Sequence, residues 1–199
     1  TLYELYKEAY TPWEWHDELK NYGEKSGLVV FSTPFDETAV DFLEDLHVVL
    51  YKVASFETGD LELLQKIGQK KKPVIMSRGL TTEEEIQTAI DTLTGSGCPQ
   101  VIVLHCVSSY PATADQMNLS TIPDITRRFG VISGLSDHSL GITAAVSSIA
   151  LGASVIEKHI TLARADGGVD SAFSLEPQEF KTLCNDVRIA HKALGNVEY

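Results

Sequence analysis

Val131-Ile132-Ser133-Gly134-Leu135-Ser136-Asp137-His138 and Val155-Ile156-Glu157-Lys158-His159-Ile160-Thr161 are built alike. Each is a short apolar, β-branched run that reads as a buried parallel strand, and each delivers a histidine just past its end. Neighbouring parallel strands lie about 4.8 Å apart, so side chains at their carboxyl ends can converge; neutral imidazole is the commonest transition-metal ligand. The pattern therefore predicts a two-imidazole metal site at His138 and His159. Two core histidines satisfied by backbone carbonyls are the plainer alternative, which suits a lone histidine better than a matched pair. His105, within an apolar strand, is assigned a structural role.

The same unit recurs along the chain. Strands are expected near 28–32, 50–54, 73–77, 101–106, 131–135 and 154–157, with helices near 37–46, 60–69, 82–94, 120–129, 142–151 and 177–194. A first helical segment, 2–20, is interrupted by Pro12, and Gly195 supplies a stop signal for the last helix. Strand, loop and helix in repetition require a parallel sheet, either doubly wound or a (β/α)8 barrel. Polar residues follow nearly every strand: Ser32-Thr33-Pro34, Ser55-Phe56-Glu57, Ser77-Arg78-Gly79, Ser108-Ser109-Tyr110, Ser136-Asp137-His138 and His159-Ile160-Thr161. A doubly wound sheet would gather them at one switch point, whereas a ring of strands brings all of them together. The expected fold class is α/β, a TIM (β/α)8-type barrel. Six units do not close such a ring, so residues 1–199 are expected to be a partial barrel domain without its first two β/α units.

Composition narrows the function classes. A chain of 199 residues with 43% hydrophobic content can bury a sizeable core. The net charge of −12 and a pI near 4.8, with no basic stripe, argue against nucleic acid and anionic membranes as partners. An anionic substrate must then be held by local donors. Three cysteines, Cys98, Cys106 and Cys184, show no pairing pattern, and no apolar run approaches the roughly 20 residues of a membrane span. A soluble, cytoplasmic protein is expected.

Several runs together resemble the sialic acid synthase family: Ser32-Thr33-Pro34-Phe35-Asp36, Tyr51-Lys52-Val53-Ala54-Ser55-Phe56-Glu57, Leu104-His105-Cys106-Val107-Ser108-Ser109-Tyr110-Pro111, and the two histidine motifs. Tyr10-Thr11-Pro12-Trp13-Glu14-Trp15 and Phe173-Ser174-Leu175-Glu176-Pro177 look most like its pseudaminic acid synthase branch. The resemblance covers essentially the whole chain. It implies condensation of phosphoenolpyruvate with an open-chain amino sugar, 2,4-diacetamido-2,4,6-trideoxy-altrose, to give pseudaminic acid and phosphate. Acceptors belonging to N-acetylneuraminate or legionaminate synthases remain open, as do a non-catalytic metal- and phosphate-binding barrel and another metal-assisted barrel enzyme. A divalent cofactor, Mn2+ or Mg2+, is implied on His138 and His159. Lys52, Thr33, Ser55, Ser77, Ser108 and Ser136 are implied for phosphate recognition, and Glu57, Tyr110 and Asp170 for the sugar.

Residue chemistry adds further expectations. Lys52 ends an apolar strand, a costly place for a lysine unless it pairs. Its strand parity is opposite to that of Ser55, which requires a bulge or strand end between them, while Ser55 and Glu57 share parity. Asp137 points away from its neighbours Ser136 and His138, toward a capping or orienting role. Phe173 with the Trp13/Trp15 segment could wall a pocket for a methyl-bearing sugar. Two departures from the family stand out: Arg78 where a small residue is usual, and Gly168-Val169-Asp170 in place of Gly-Pro-Asp. The family's early-strand glutamate and lysine-glutamine pair, and its C-terminal antifreeze-like domain, have no counterpart here. The full protein is expected to be a homodimer, and this chain alone to be nearly inactive.

Overall fold

The computed structural model describes residue 7 and residues 9–199. Five strands, β1 (Tyr51–Val53), β2 (Val74–Arg78), β3 (Val101–Cys106), β4 (Ile132–Asp137) and β5 (Val155–Lys158), form one parallel sheet in the order β1-β2-β3-β4-β5. Each strand neighbours the next in sequence, so the sheet winds one way and has no switch point. Seven helices accompany it among the described residues: α1 (His16–Lys25), α2 (Glu37–Asp45), α3 (Leu61–Gln69), α4 (Glu83–Gly95), α5 (Thr121–Phe129), α6 (Thr143–Ala150) and α7 (Pro177–Leu194).

One contact measures the curl of the sheet. Lys52 Nζ on β1 lies 3.4 Å from Glu157 Oε2 on β5. In a flat sheet four strand spacings would set those backbones about 19 Å apart, beyond the combined reach of both side chains. The sheet therefore bends around its inner face into part of a TIM-type barrel, as the distribution of polar residues indicates. Its outer face packs Val53, Val74, Met76 and Val103 against Leu64 and Ile67 of α3 and Leu93 of α4, all buried.

Local chemistry sets the helix starts. Asp36 accepts the Ala39 amide at 2.8 Å before α2, and Asp60 accepts that of Leu63 at 3.0 Å before α3. Thr82 and Glu85 exchange hydrogen bonds in a capping box at α4. Pro177 opens α7 and Gly195 follows it, at the expected boundaries. Residues 2–6 and 8 of the first expected helix lie outside the described residues. Pro12 does interrupt that segment: its carbonyl takes bonds from Trp15 N and His16 Nδ1, a 3-10 turn spans Trp13–Trp15, and α1 then runs past residue 20 to Lys25.

The expected strand at 28–32 is a correction. This segment joins no strand; one long bond, Lys52 N to Ser32 O at 3.5 Å, ties it to β1. An apolar β-branched pattern gives propensity, but a strand exists only where a neighbour completes the ladder, and Leu28 and Val29 are each 63% exposed.

Gly134 shows how tightly the interior closes. A Cβ there would lie 2.2 Å from Val155 O and 2.7 Å from Leu104 Cδ2, so β4 and β5 meet only because the side chain is absent. Gly134→Ala is expected to destabilise the protein by about 3 kcal/mol, at the upper end of overpacking costs, read as a shift in urea midpoint at unchanged slope. Unchanged stability would mean that the two strands are not packed this closely.

Candidate active site

Strand ends deliver the polar side chains to one cavity of about 1120 Å3 on the inner face. Lys52 Nζ donates to Ser77 Oγ and to Val53 O, both at 2.9 Å, and pairs with Glu157 Oε2. Glu157 Oε1 accepts from Ser136 Oγ at 2.7 Å. A chain of two hydrogen bonds and one ion pair therefore runs Ser77, Lys52, Glu157, Ser136 across β2, β1, β5 and β4. It holds a buried ammonium in place while leaving hydroxyls at its sides.

The two histidines follow directly. Register pairs Ser136 with Glu157 and Asp137 with Lys158, so His138 and His159 emerge side by side, ring centroids 5.2 Å apart. With metal–nitrogen bonds of about 2.1 Å, two imidazoles on one ion have centroids about 4.5–5.3 Å apart, and the observed spacing fits. His138 Nδ1 donates to Val107 O at 3.1 Å, which leaves Nε2 as the lone-pair nitrogen. Burial first, then the neighbouring His159, push the His138 pKa down against the pull of that carbonyl, which favours the neutral ring. His159 Nδ1 lies 3.4 Å from Asp170 Oδ2, a carboxylate placed to orient it. Among the described residues no group of three or more His, Cys, Asp or Glu side chains is placed to hold a metal ion. Two imidazoles would thus leave several coordination positions to water and substrate.

A family profile described as the NeuB family matches residues 1–199. The chain belongs to that family. This NeuB chain is 42% identical over 195 residues to the pseudaminic acid synthase of Campylobacter jejuni, covering 98% of itself and 57% of that relative. It is 38% identical over 183 residues to the N,N'-diacetyllegionaminic acid synthase of the same species, covering 91% of itself and 55% of the relative. A solved N-acetylneuraminic acid synthetase from Leptospira borgpetersenii superposes with a TM-score of 0.94 at 34% identity, covering 98% of this chain and 68% of that one. The NeuB chain therefore spans little more than half the length of these curated relatives.

Most of the expected site residues of the NeuB chain meet in the cavity: Thr33, Lys52, Ser55, Glu57, Ser77, Tyr110, Ser136, His138, His159 and Asp170 all line it. Ser108 does not. It hydrogen-bonds Ser55 Oγ at 3.3 Å and faces an adjoining cavity. The parity conflict between Lys52 and Ser55 resolves because β1 ends at Val53. Glu57 sits in a 3-10 turn, Glu57–Gly59, so strand parity is not what brings it in. Asp137 turns away as expected: Oδ1 accepts from the Ser139 amide and hydroxyl at 2.8 and 2.6 Å. His105 is buried, with Nε2 donating to Met117 O at 2.6 Å.

The apolar wall differs from expectation. Trp13 lines the cavity, stacked on Phe42 at 4.4 Å, and Phe35 and Phe56 join it, whereas Trp15 is not part of its lining. Phe173 does not line the cavity; it packs behind the imidazoles, 5.0 Å from His159 and 5.9 Å from His138. Sequence reasoning also missed Glu157 and Lys158. Their signal was present, since a Glu-Lys pair inside an apolar strand demands partners as Lys52 does.

Glu57 carries an unmet need. Its Oε2 is buried without a hydrogen-bond partner, and burial raises its pKa above the ordinary 4.5, only partly offset by its own backbone amide and by the charge of Lys52. A carboxyl whose folded pKa is raised favours folding below the unfolded value and loses that contribution as pH rises through the folded one. Glu57→Gln is therefore expected to raise the thermal midpoint at pH 7, with the gain fading well below pH 4.5. Equal midpoints at both pH values would place Glu57 in solvent.

Proposed function

We propose that the protein carrying this chain condenses phosphoenolpyruvate with open-chain 2,4-diacetamido-2,4,6-trideoxy-altrose and water, giving pseudaminic acid and phosphate. The carrying observation is the single cavity in which a buried lysine with flanking hydroxyls faces two side-by-side imidazoles: an anion clamp opposite a metal-binding pair. Lys52 with Thr33, Ser55, Ser77 and Ser136 supplies the local donors that a protein of charge −12 needs for a multiply charged substrate. Ser108 acts one step back, by fixing Ser55. His138 and His159 would hold the divalent cation, Mn2+ or Mg2+, which when bound polarises the aldehyde oxygen. Glu57 and Asp170 accept hydrogen bonds from sugar hydroxyls or amides, and Tyr110 offers an aromatic face beside His138. Facing the two reactants across one cavity removes the entropic cost of their meeting as C3 of phosphoenolpyruvate joins the aldehyde carbon and water adds at C2.

Residues 1–199 are read as part of a synthase barrel domain in a cytoplasmic homodimer. No helix among the described residues is long and apolar enough to cross a membrane. The 38% identity to a legionaminic acid synthase supports a second reading with that enzyme's acceptor. Assaying the full protein for nonulosonic acid and phosphate with the altrose, the legionaminate precursor and N-acetylmannosamine separates them. Turnover with the altrose foremost is expected. Preference for N-acetylmannosamine overturns the branch, and binding of phosphoenolpyruvate without turnover on any sugar overturns the enzyme.

A further inference from the structure

A second cavity of about 730 Å3 opens on the helix side of the sheet, between the ends of β2 and β3 and the start of α5. Strand alternation creates it: Ser77 and Cys106 turn toward the barrel interior, while Arg78 and His105, Cα partners across the β2/β3 ladder, turn outward. Two buried groups on its wall have unmet hydrogen bonds. His105 is 2% exposed; because Nε2–H is committed to the Met117 carbonyl, Nδ1 carries a lone pair, and no donor reaches it. Arg78 Nε–H is buried with no acceptor, the guanidinium meeting only Gly79 O through Nη1.

An occupant must therefore offer both an acceptor and a donor. Charge adds a second requirement. Arg78 favours an anion, and the hydroxyls of Ser120 and Thr121 stand on the wall as donors, while the amides of Thr121 and Ile122 are already given to Asn118 O and Leu119 O. Asp124, the one acid there, is already engaged by Arg127 and Arg128. Water brings no charge. Sulfate and the fully ionised phosphomonoester bring acceptors only, whereas hydrogen phosphate brings acceptor oxygens and one P–OH.

We propose that this cavity is a hydrogen-phosphate site, in which Arg78 and the hydroxyls of Ser120 and Thr121 hold the anionic oxygens and His105 Nδ1 accepts the P–OH. The ion is free inorganic phosphate, since a monoester loses that proton above a pKa of about 6. Cys106 lines both cavities and Ser108 bonds Ser55 of the interior, so the two compartments share a wall. That the ion is the phosphate released by the reaction rests on the function proposed above; the binding itself does not.

Isothermal titration of the full protein tests it, using a Lys52→Met background to silence the interior anion clamp. Inorganic phosphate is expected to bind, with sulfate and glycerol phosphate at least about tenfold weaker near neutral pH. Arg78→Ala in that background weakens phosphate at least about tenfold, and Arg78→Lys, which keeps the charge but not the fork, restores part. The preference for phosphate over sulfate needs no substitution at Arg78, so it holds as a test even if that variant misfolds. Equal binding of phosphate and sulfate, an affinity unmoved by Arg78→Ala, or a phosphate-soaked crystal with only water in the cavity overturns the proposal. Failure of turnover with every sugar leaves this binding result standing, so the two readings fail separately.

Discussion

Lys158→Met alone will cost the protein about 3–5 kcal/mol, a large share of a typical domain's stability. Lys158 and Asp137 form an ion pair at 2.9 Å with side chains 1% and 0% exposed. Lys158 Nζ also donates to Ser139 O, and Asp137 Oδ1 takes both donors of Ser139. Removing the lysine leaves a carboxylate in the interior with no cation. Adding Asp137→Leu removes that charge and recovers part of the loss. Recovery stays incomplete because the Ser139 amide and hydroxyl then lose their acceptor, at about 1–3 kcal/mol per unmet buried group. Chemical denaturation of the two single variants and the double variant measures the coupling. A single-variant loss under 1 kcal/mol would show that the pair is solvated. The pair joins the residues immediately before the two histidines across the β4/β5 register, so its loss should also loosen the imidazole spacing.

Metal affinity carries the second large effect. His138→Ala or His159→Ala is expected to weaken Mn2+ binding to the full protein by about a hundredfold or more, because each would remove one of the two proposed ligands. Asp170→Asn, acting through the orientation of His159, should weaken it by about tenfold. Titration calorimetry reads all three, with circular dichroism as the check on folding. His138 packs against Tyr110 at 4.5 Å, and Phe173 stands behind both rings, so an alanine also removes packing. His138→Gln keeps more of that volume and should lose affinity just as steeply. Wild-type affinity in these variants would return both residues to the role of satisfied core histidines.

Where the chain's pattern is periodic, structure follows it closely. Strand 101–106 and helix 177–194 coincide with β3 and α7, and the caps at Asp36, Asp60 and Thr82 lie where their side chains meet exposed amide donors. Segment 28–32 has equal propensity and fails, because pairing is supplied by a neighbour and not by the segment itself. Glu57 is implied by the family resemblance with strand parity in support, although a 3-10 turn is what carries it to the cavity. Phe173 and Ser108 lie outside the lining of the main cavity, Phe173 behind the imidazoles and Ser108 in the adjoining cavity. Sequence order gives the strand end from which a side chain starts, but not the layer in which it comes to rest.

The linear chain determined the alternation of strand and helix, the donors at each strand end and the need of Lys52 for a partner, since these follow from local periodicity and the cost of burying charge. Folding alone decided which partner that would be. Lys52 and Glu157 are over a hundred positions apart and meet only because the sheet curls, and the same curvature gathers the imidazoles, the hydroxyls and Glu57 around one cavity. Curvature is a property of five strands packed together under their helices, and no single segment encodes it.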